Sequence, residues 1–285
     1  MINRDEYNRI VTNIAGSAWT RRNSPRRRIL ASVNWMIVLG FVAAMVGLGA
    51  ILWFAVPDAN FNDPTYVGPL TLAFVMVGWV FSLCAHEFGH AAMAVLGGDD
   101  SLDTQKYLSF NPLHYLNPLF SIVLPILFIL LGGIGLPGGA VYLNRSRLRN
   151  SNWQVYVSLA GPLANAIFTL LLIVPYKLAE NTGHIYLAGA IAVLAYFEIF
   201  AIILNLLPIP PLDGFHAIQD WLPATWRNSP WVTGYYGIMI LFLALWVFPP
   251  LGLAFQRLIL DVGGHIGINA GLTDFGIYNL FFWRH

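Results

Sequence analysis

The stretch His86-Glu87-Phe88-Gly89-His90 places two imidazoles four residues apart. On a helix that spacing is about one turn, so both rings leave the same face and can ligate one zinc ion. Glu87 stands beside them, where a carboxylate can serve as general base on a metal-activated water. Gly89 reads as room near the metal for a substrate backbone. In a soluble helix such a pattern can be a chance arrangement on a solvated face. Here it is embedded in an apolar run, where an ionisable side chain costs roughly 2.5–3.5 kcal/mol on insertion scales. The competing reading is that His and Glu pair with each other and pin helices together.

A catalytic zinc usually takes three protein ligands and a water, so a third ligand is required. Glu180 lies in a short polar loop, and Glu198 has no supporting motif. Asp213 is the better candidate. It follows Asn205 and a segment holding Pro208, Pro210 and Pro211, and it precedes Gly214. Three prolines cannot continue a regular helix. At membrane depth, irregular backbone is tolerated only against protein or a wet cavity. The plainer reading of Asp213 is a loop carboxylate capping a helix. Asn165, in Ala160-Gly161-Pro162-Leu163-Ala164-Asn165, is an amide near the start of an apolar helix. It reads equally as an oxyanion donor or as an interhelical hydrogen bond, with Gly161 and Ala164 allowing close helix approach. Cys84 lies two residues before His86, a spacing that does not share its face, and reads as a packing residue. As the single cysteine it excludes an internal disulfide.

The elements that must position these groups are membrane helices. Of 285 residues, 57% are hydrophobic and 10% charged, against roughly 25% charged in soluble domains; the mean hydropathy is +0.63. The net charge of +1 says nothing of nucleic acid; no basic interleaved patch appears, and no nucleic-acid partner is expected. Apolar runs near 32–56, 69–96, 153–176, 184–208 and 231–249 are long enough to span. The run 118–135 is short, holds Pro125 and ends in GGIGLPGG. The stretch 250–282 is interrupted by Arg257, Asp261 and His265 and either spans or lies in the interface. The expected fold is an all-α polytopic membrane protein of five or six transmembrane helices, with a re-entrant segment near 118–135 and a short β-hairpin. Residues 1–30 read as a cytoplasmic tail and 31–285 as one membrane domain, its core about 69–216.

Charge and ligand depth then constrain the topology. Five arginines within 21–28 keep the N-terminus cytoplasmic by the positive-inside rule. The helix 69–96 then returns inward and puts HEFGH in the cytoplasmic half. For Asp213 to reach that depth, an even number of crossings must separate the two sites. The helices 153–176 and 184–208 supply two, so 118–135 should not cross. That also keeps Arg145, Arg147 and Arg149 on the cytoplasmic face.

HEFGH, the GPLAN run and the NxxPxPxxDG pattern, in that order on three apolar helices, resemble the site-2 protease family over about residues 69–216. The resemblance implies a Zn2+ held by His86, His90 and Asp213, Glu87 as catalytic acid/base, and Asn165 at the active site. The stretch Asn111 to Pro118 resembles one branch of that family. Phe215 and His216 depart from the small residue that often follows the DG pair. No PDZ-like or nucleotide-binding insertion is present. The activity implied is intramembrane proteolysis of a transmembrane protein substrate in the lipid bilayer of a bacterial or archaeal cell. The substrate is expected to extend along a strand-like edge within 98–117 or 138–150. His114 and His216 are not expected to be ligands. Two other functions compete: a metal-ion transporter using the same three residues, and an inactive scaffold that binds membrane proteins. Glu beside His, and the lack of further carboxylates forming an ion path, favour hydrolysis over transport.

Overall fold

A computed structural model describes residues 24–55, 65–114, 147–227, 229 and 236–284. Among these residues the chain is helical and no strand occurs. Four helices among the described residues are long and apolar enough to cross a membrane. They are α2 (Trp35–Trp53), α3 (Val67–Gly97), α5 (Ser151–Asn181) and α6 (Ile185–Asn205). They match four of the five apolar runs. Short helices precede or follow them: α1 (Pro25–Ser32), α4 (Leu102–Tyr107), α7 (Asp213–Ile218) and α8 (Ala224–Arg227). The chain closes with α9 (Tyr236–Val247), α10 (Pro249–His265) and α11 (Ala270–Leu280).

Local chemistry sets the helix ends. The Asn34 side chain accepts from the Met36 and Ile37 amides and starts α2; Asn150 does the same for α5 through Trp153. Gly98 adopts φ 110° and ends α3, a left-handed cap that a Cβ would strain. Helix α6 stops at Asn205, ahead of the proline-rich turn, and the chain re-enters a helix at Asp213.

Helix α6 is the centre of the bundle and is buried along most of its length. Helices α3 and α5 pack against it and against each other. Helix α2 is peripheral and buries only Gly49 and Leu52. Apolar helix faces gain little from each other in lipid, so close approach at small residues does the packing. A Cβ on Gly89 of α3 would lie 2.7 Å from the Ala160 carbonyl oxygen of α5, and one on Gly276 of α11 would overlap the Gly189 backbone of α6. The Gly89 contact corrects the sequence reading. That glycine's space is filled by α5 rather than left for a substrate.

Other expectations change as well. The described part of the run 231–249, residues 236–249, does not form one straight span. Helix α9 is twelve residues long, and the chain then bends by 95° into α10, with Pro249 and Pro250 opening the new helix. Among the described residues, counting that bent pair as one gives five candidate spans; otherwise there are four. The stretch 250–282 is two helices, and α11 is docked on α6 and α3 with Thr273, Gly276, Asn279 and Leu280 buried. The end of the expected tail is folded: Ile29 of α1 packs with Ala91, Val95 and Leu108. The strand-like edge is absent from residues 98–114, which carry α4 and a 3-10 turn at Pro112–His114. Ser101 caps α4 by accepting from the Thr104 amide, and Thr104 donates to Asp99, so the backbone there is committed to helix. The segment 118–135, the glycine-rich stretch expected to form the hairpin, and Arg145 lie outside the described residues.

Candidate metal centre

Helix α3 presents His86, Glu87 and His90 on its buried side, with 8%, 4% and 6% of their surface exposed. Helix α7, packed against α5, brings Asp213 to the same point. The three atoms that meet are two ring nitrogens and the carboxylate. His86 Nε2 lies 3.0 Å from His90 Nε2 and 3.2 Å from Asp213 Oδ2. His90 Nε2 lies 3.3 Å from Asp213 Oδ1. Among the described residues, these three form the group of metal-ligating side chains.

The other ring nitrogens determine what this cluster is. His90 Nδ1 lies 2.6 Å from the Val157 carbonyl oxygen, which can only accept, so Nδ1 carries the proton. His86 Nδ1 meets Asn165 Oδ1, and the same logic applies. On the neutral rings, the form that ligates a metal, both Nε2 atoms therefore present lone pairs. They converge on each other and on a carboxylate, and no donor stands among them. Asp213 Oδ2 is buried without a hydrogen-bond partner. Three acceptors packed this way repel unless a cation lies between them. A tetrahedral zinc with bonds of roughly 2.0–2.1 Å would set its ligand atoms about 3.3–3.4 Å apart, close to the observed 3.0–3.3 Å. The residues fit such an ion.

Glycines shape the space around the cluster. A Cβ on Gly161 of α5 would fall 2.6 Å from His86 Nε2 and closer still to His90 Nε2. Gly161 thus keeps the wall facing the two nitrogens open. A Cβ on Gly214 would lie 2.6 Å from the Leu207 carbonyl oxygen, so the residue after Asp213 must be glycine for the turn to close. Phe215 is buried, and the His216 carbonyl accepts from Gln154 of α5 at 3.1 Å; that bond fastens α7 to α5. His216 and His114 both lie outside the cluster, and His114 Nδ1 contacts Ser109 Oγ near α4. Cys84 is buried beside Phe110.

Comparison with known proteins gives the same reading of the chain. A protein of Mycolicibacterium smegmatis named "Putative zinc metalloprotease Rip2" is 36% identical over 258 residues, spanning 90% of this chain and 96% of its own. The chain belongs to the site-2 protease family. A Mycobacterium tuberculosis protein of the same name is 40% identical over 192 residues, 67% of this chain and 72% of that one. A Bacillus subtilis protein named "Putative zinc metalloprotease YwhC" is 32% identical over 196 residues, 64% of this chain and 84% of that one. No family model and no solved structure matches. As a member of this family with four long apolar helices, the chain is an integral membrane protein.

Sequence reasoning brought His86, Glu87, His90, Asp213 and Asn165 to one place, and they are together here. It passed over Ser82 and set Glu198 aside for want of a motif; both stand behind Asn165. Ser82 is four residues before His86, on the same helix face, and Glu198 is a carboxylate inside an apolar helix. Both signals were available in the spacing.

Proposed function

We propose that this chain is an intramembrane zinc protease that hydrolyses a peptide bond in a transmembrane segment of a membrane-anchored protein. The observation that carries the reading is the convergence of two imidazole lone pairs and a carboxylate, with no donor among them, on a helix that also holds Glu87. His86, His90 and Asp213 are the ligands, and zinc is the metal named for the relatives. Zinc bound there supplies a Lewis acid for the scissile carbonyl and lowers the pKa of a water.

The residues do the rest. His86 and His90 keep their Nδ1 protons on Asn165 and Val157, so both rings hold one tautomer through turnover. The Glu87 carboxylate takes a proton from the attacking water and passes it to the leaving amide nitrogen. Asn165 is engaged at both ends of its amide: Oδ1 accepts from His86, and Nδ2 donates to Ser82 and Glu198. That engagement supports a positioning role for Asn165 over an oxyanion donor. The N-terminus is assigned to the cytoplasm from its arginines, with the site toward that side and the bilayer supplying the substrate.

Glu87→Gln tests the assignment. In proteoliposomes holding a candidate single-span substrate, the variant should keep its metal and lose cleavage. Cleavage retained by Glu87→Gln would remove Glu87 from the chemistry. Metal flux into the vesicles without cleavage would favour transport instead.

A further inference from the structure

Behind the cluster lies a buried polar chain that a fully apolar bundle would not need. Glu198 sits in the middle of α6 with 1% of its surface exposed, and Ser82 and Asn165 are 0% and 5% exposed. Glu198 Oε2 accepts from Ser82 Oγ and from Asn165 Nδ2 at 2.9 Å. Ser82 Oγ in turn accepts from Asn165 Nδ2 at 2.8 Å. A carboxyl placed so deep in an apolar helix is costly, and among the described residues no cation within salt-bridge distance of Glu198 balances it.

We infer that Glu198 is a positioning residue that sets the tautomer of His86, and thereby its strength as a ligand, through Asn165. This rests on the metal reading above. The two ends of an Asn amide have nearly the same shape, so its orientation is chosen by what faces each end. Here an oxygen that only accepts, and a serine whose own proton points at that oxygen, face Nδ2. That arrangement turns Oδ1 toward His86, which must then hold its proton on Nδ1 and present a bare Nε2 to the cluster. Without the Glu198 oxygen the amide is free to flip. A flipped amide would donate to His86 Nδ1, move the ring proton to Nε2 and remove a ligand.

The test is zinc affinity, measured by chelator competition on the full-length protein in detergent. Glu198→Leu should lose about 10–100-fold while keeping its fold. Glu198→Gln, whose side-chain oxygen can accept the same two bonds, should stay within about threefold of wild type. The double variant Glu198→Leu with Asn165→Leu should bind no more weakly than Asn165→Leu alone, because Glu198 acts through Asn165. Cobalt loaded in place of zinc should show an altered visible spectrum in Glu198→Leu and a native one in Glu198→Gln. If Glu198→Leu does not fold, Glu198→Met carries the same comparison. Wild-type affinity in a folded Glu198→Leu or Glu198→Met, or a loss in Glu198→Gln as large as in the apolar variant, overturns the inference and leaves the metal site standing. Absence of tight zinc in the wild type overturns both.

Discussion

Gly161 offers the sharpest perturbation of the site, because its effect follows from distances. Replacing it with Ala puts a methyl carbon 2.6 Å from His86 Nε2 and nearer still to His90 Nε2. Non-bonded heavy atoms rest roughly 3.5 Å or more apart, so the His86 ring must withdraw by about 0.9 Å and the His90 ring by more. Metal sites hold their ligand distances to about 0.2 Å. The displacement is several times that tolerance and acts on both imidazoles at once. Changes to partners that only orient a ligand cost about 10–100-fold in affinity; moving the ligands themselves should cost at least ~100-fold, or about 2.8 kcal/mol. The helix itself should not suffer, since Ala is favoured over Gly by about 1 kcal/mol within a helix. The assay is chelator competition for zinc, with thermal unfolding followed alongside. Gly40→Ala is the control, because a Cβ there meets nothing within 4 Å, and its zinc affinity should be unchanged. A folded Gly161→Ala variant that binds zinc within about threefold of wild type would refute the placement of the metal against this wall.

Three further outcomes are expected. Gly89→Leu should separate α3 from α5, because even a Cβ there would lie 2.7 Å from the Ala160 carbonyl oxygen; a loss of about 1–3 kcal/mol should appear in thermal or denaturant unfolding. Gly276→Leu should undock α11 from α6 with a loss of similar size, read out as new protease sensitivity of the C-terminal region in detergent. Asp213→Asn should weaken zinc by removing a charged ligand while leaving the fold intact, visible as lost metal at unchanged helical circular dichroism.

The residues that do chemistry were legible because the membrane makes polar groups conspicuous. HEFGH stands out in an apolar helix, and the proline-rich turn before Asp213 marks a break where a carboxylate can be presented. The four long spans follow from hydropathy for the same reason. What was not legible depended on neighbours. Gly89 belongs to the motif, so it read as part of the site, yet only the approach of α5 shows its space to be filled. Gly161 read as a helix-packing glycine, and only the fold reveals that it faces the ligand nitrogens. The bend at Pro249 breaks a run that hydropathy alone treats as continuous. Glu198 was set aside for want of a motif, because its meaning lies in an amide on a different helix.

The central claim is that two imidazoles and a carboxylate hold one zinc. Zinc K-edge X-ray absorption on the purified full-length protein tests it directly. The account predicts one zinc per chain with a shell of light atoms only, two of them imidazole nitrogens with their outer-ring scattering, at roughly 2.0–2.1 Å. A sulfur shell near 2.3 Å, which Cys84 or a methionine would have to provide, or a spectrum unchanged in the Asp213→Asn variant at full zinc occupancy, would contradict it.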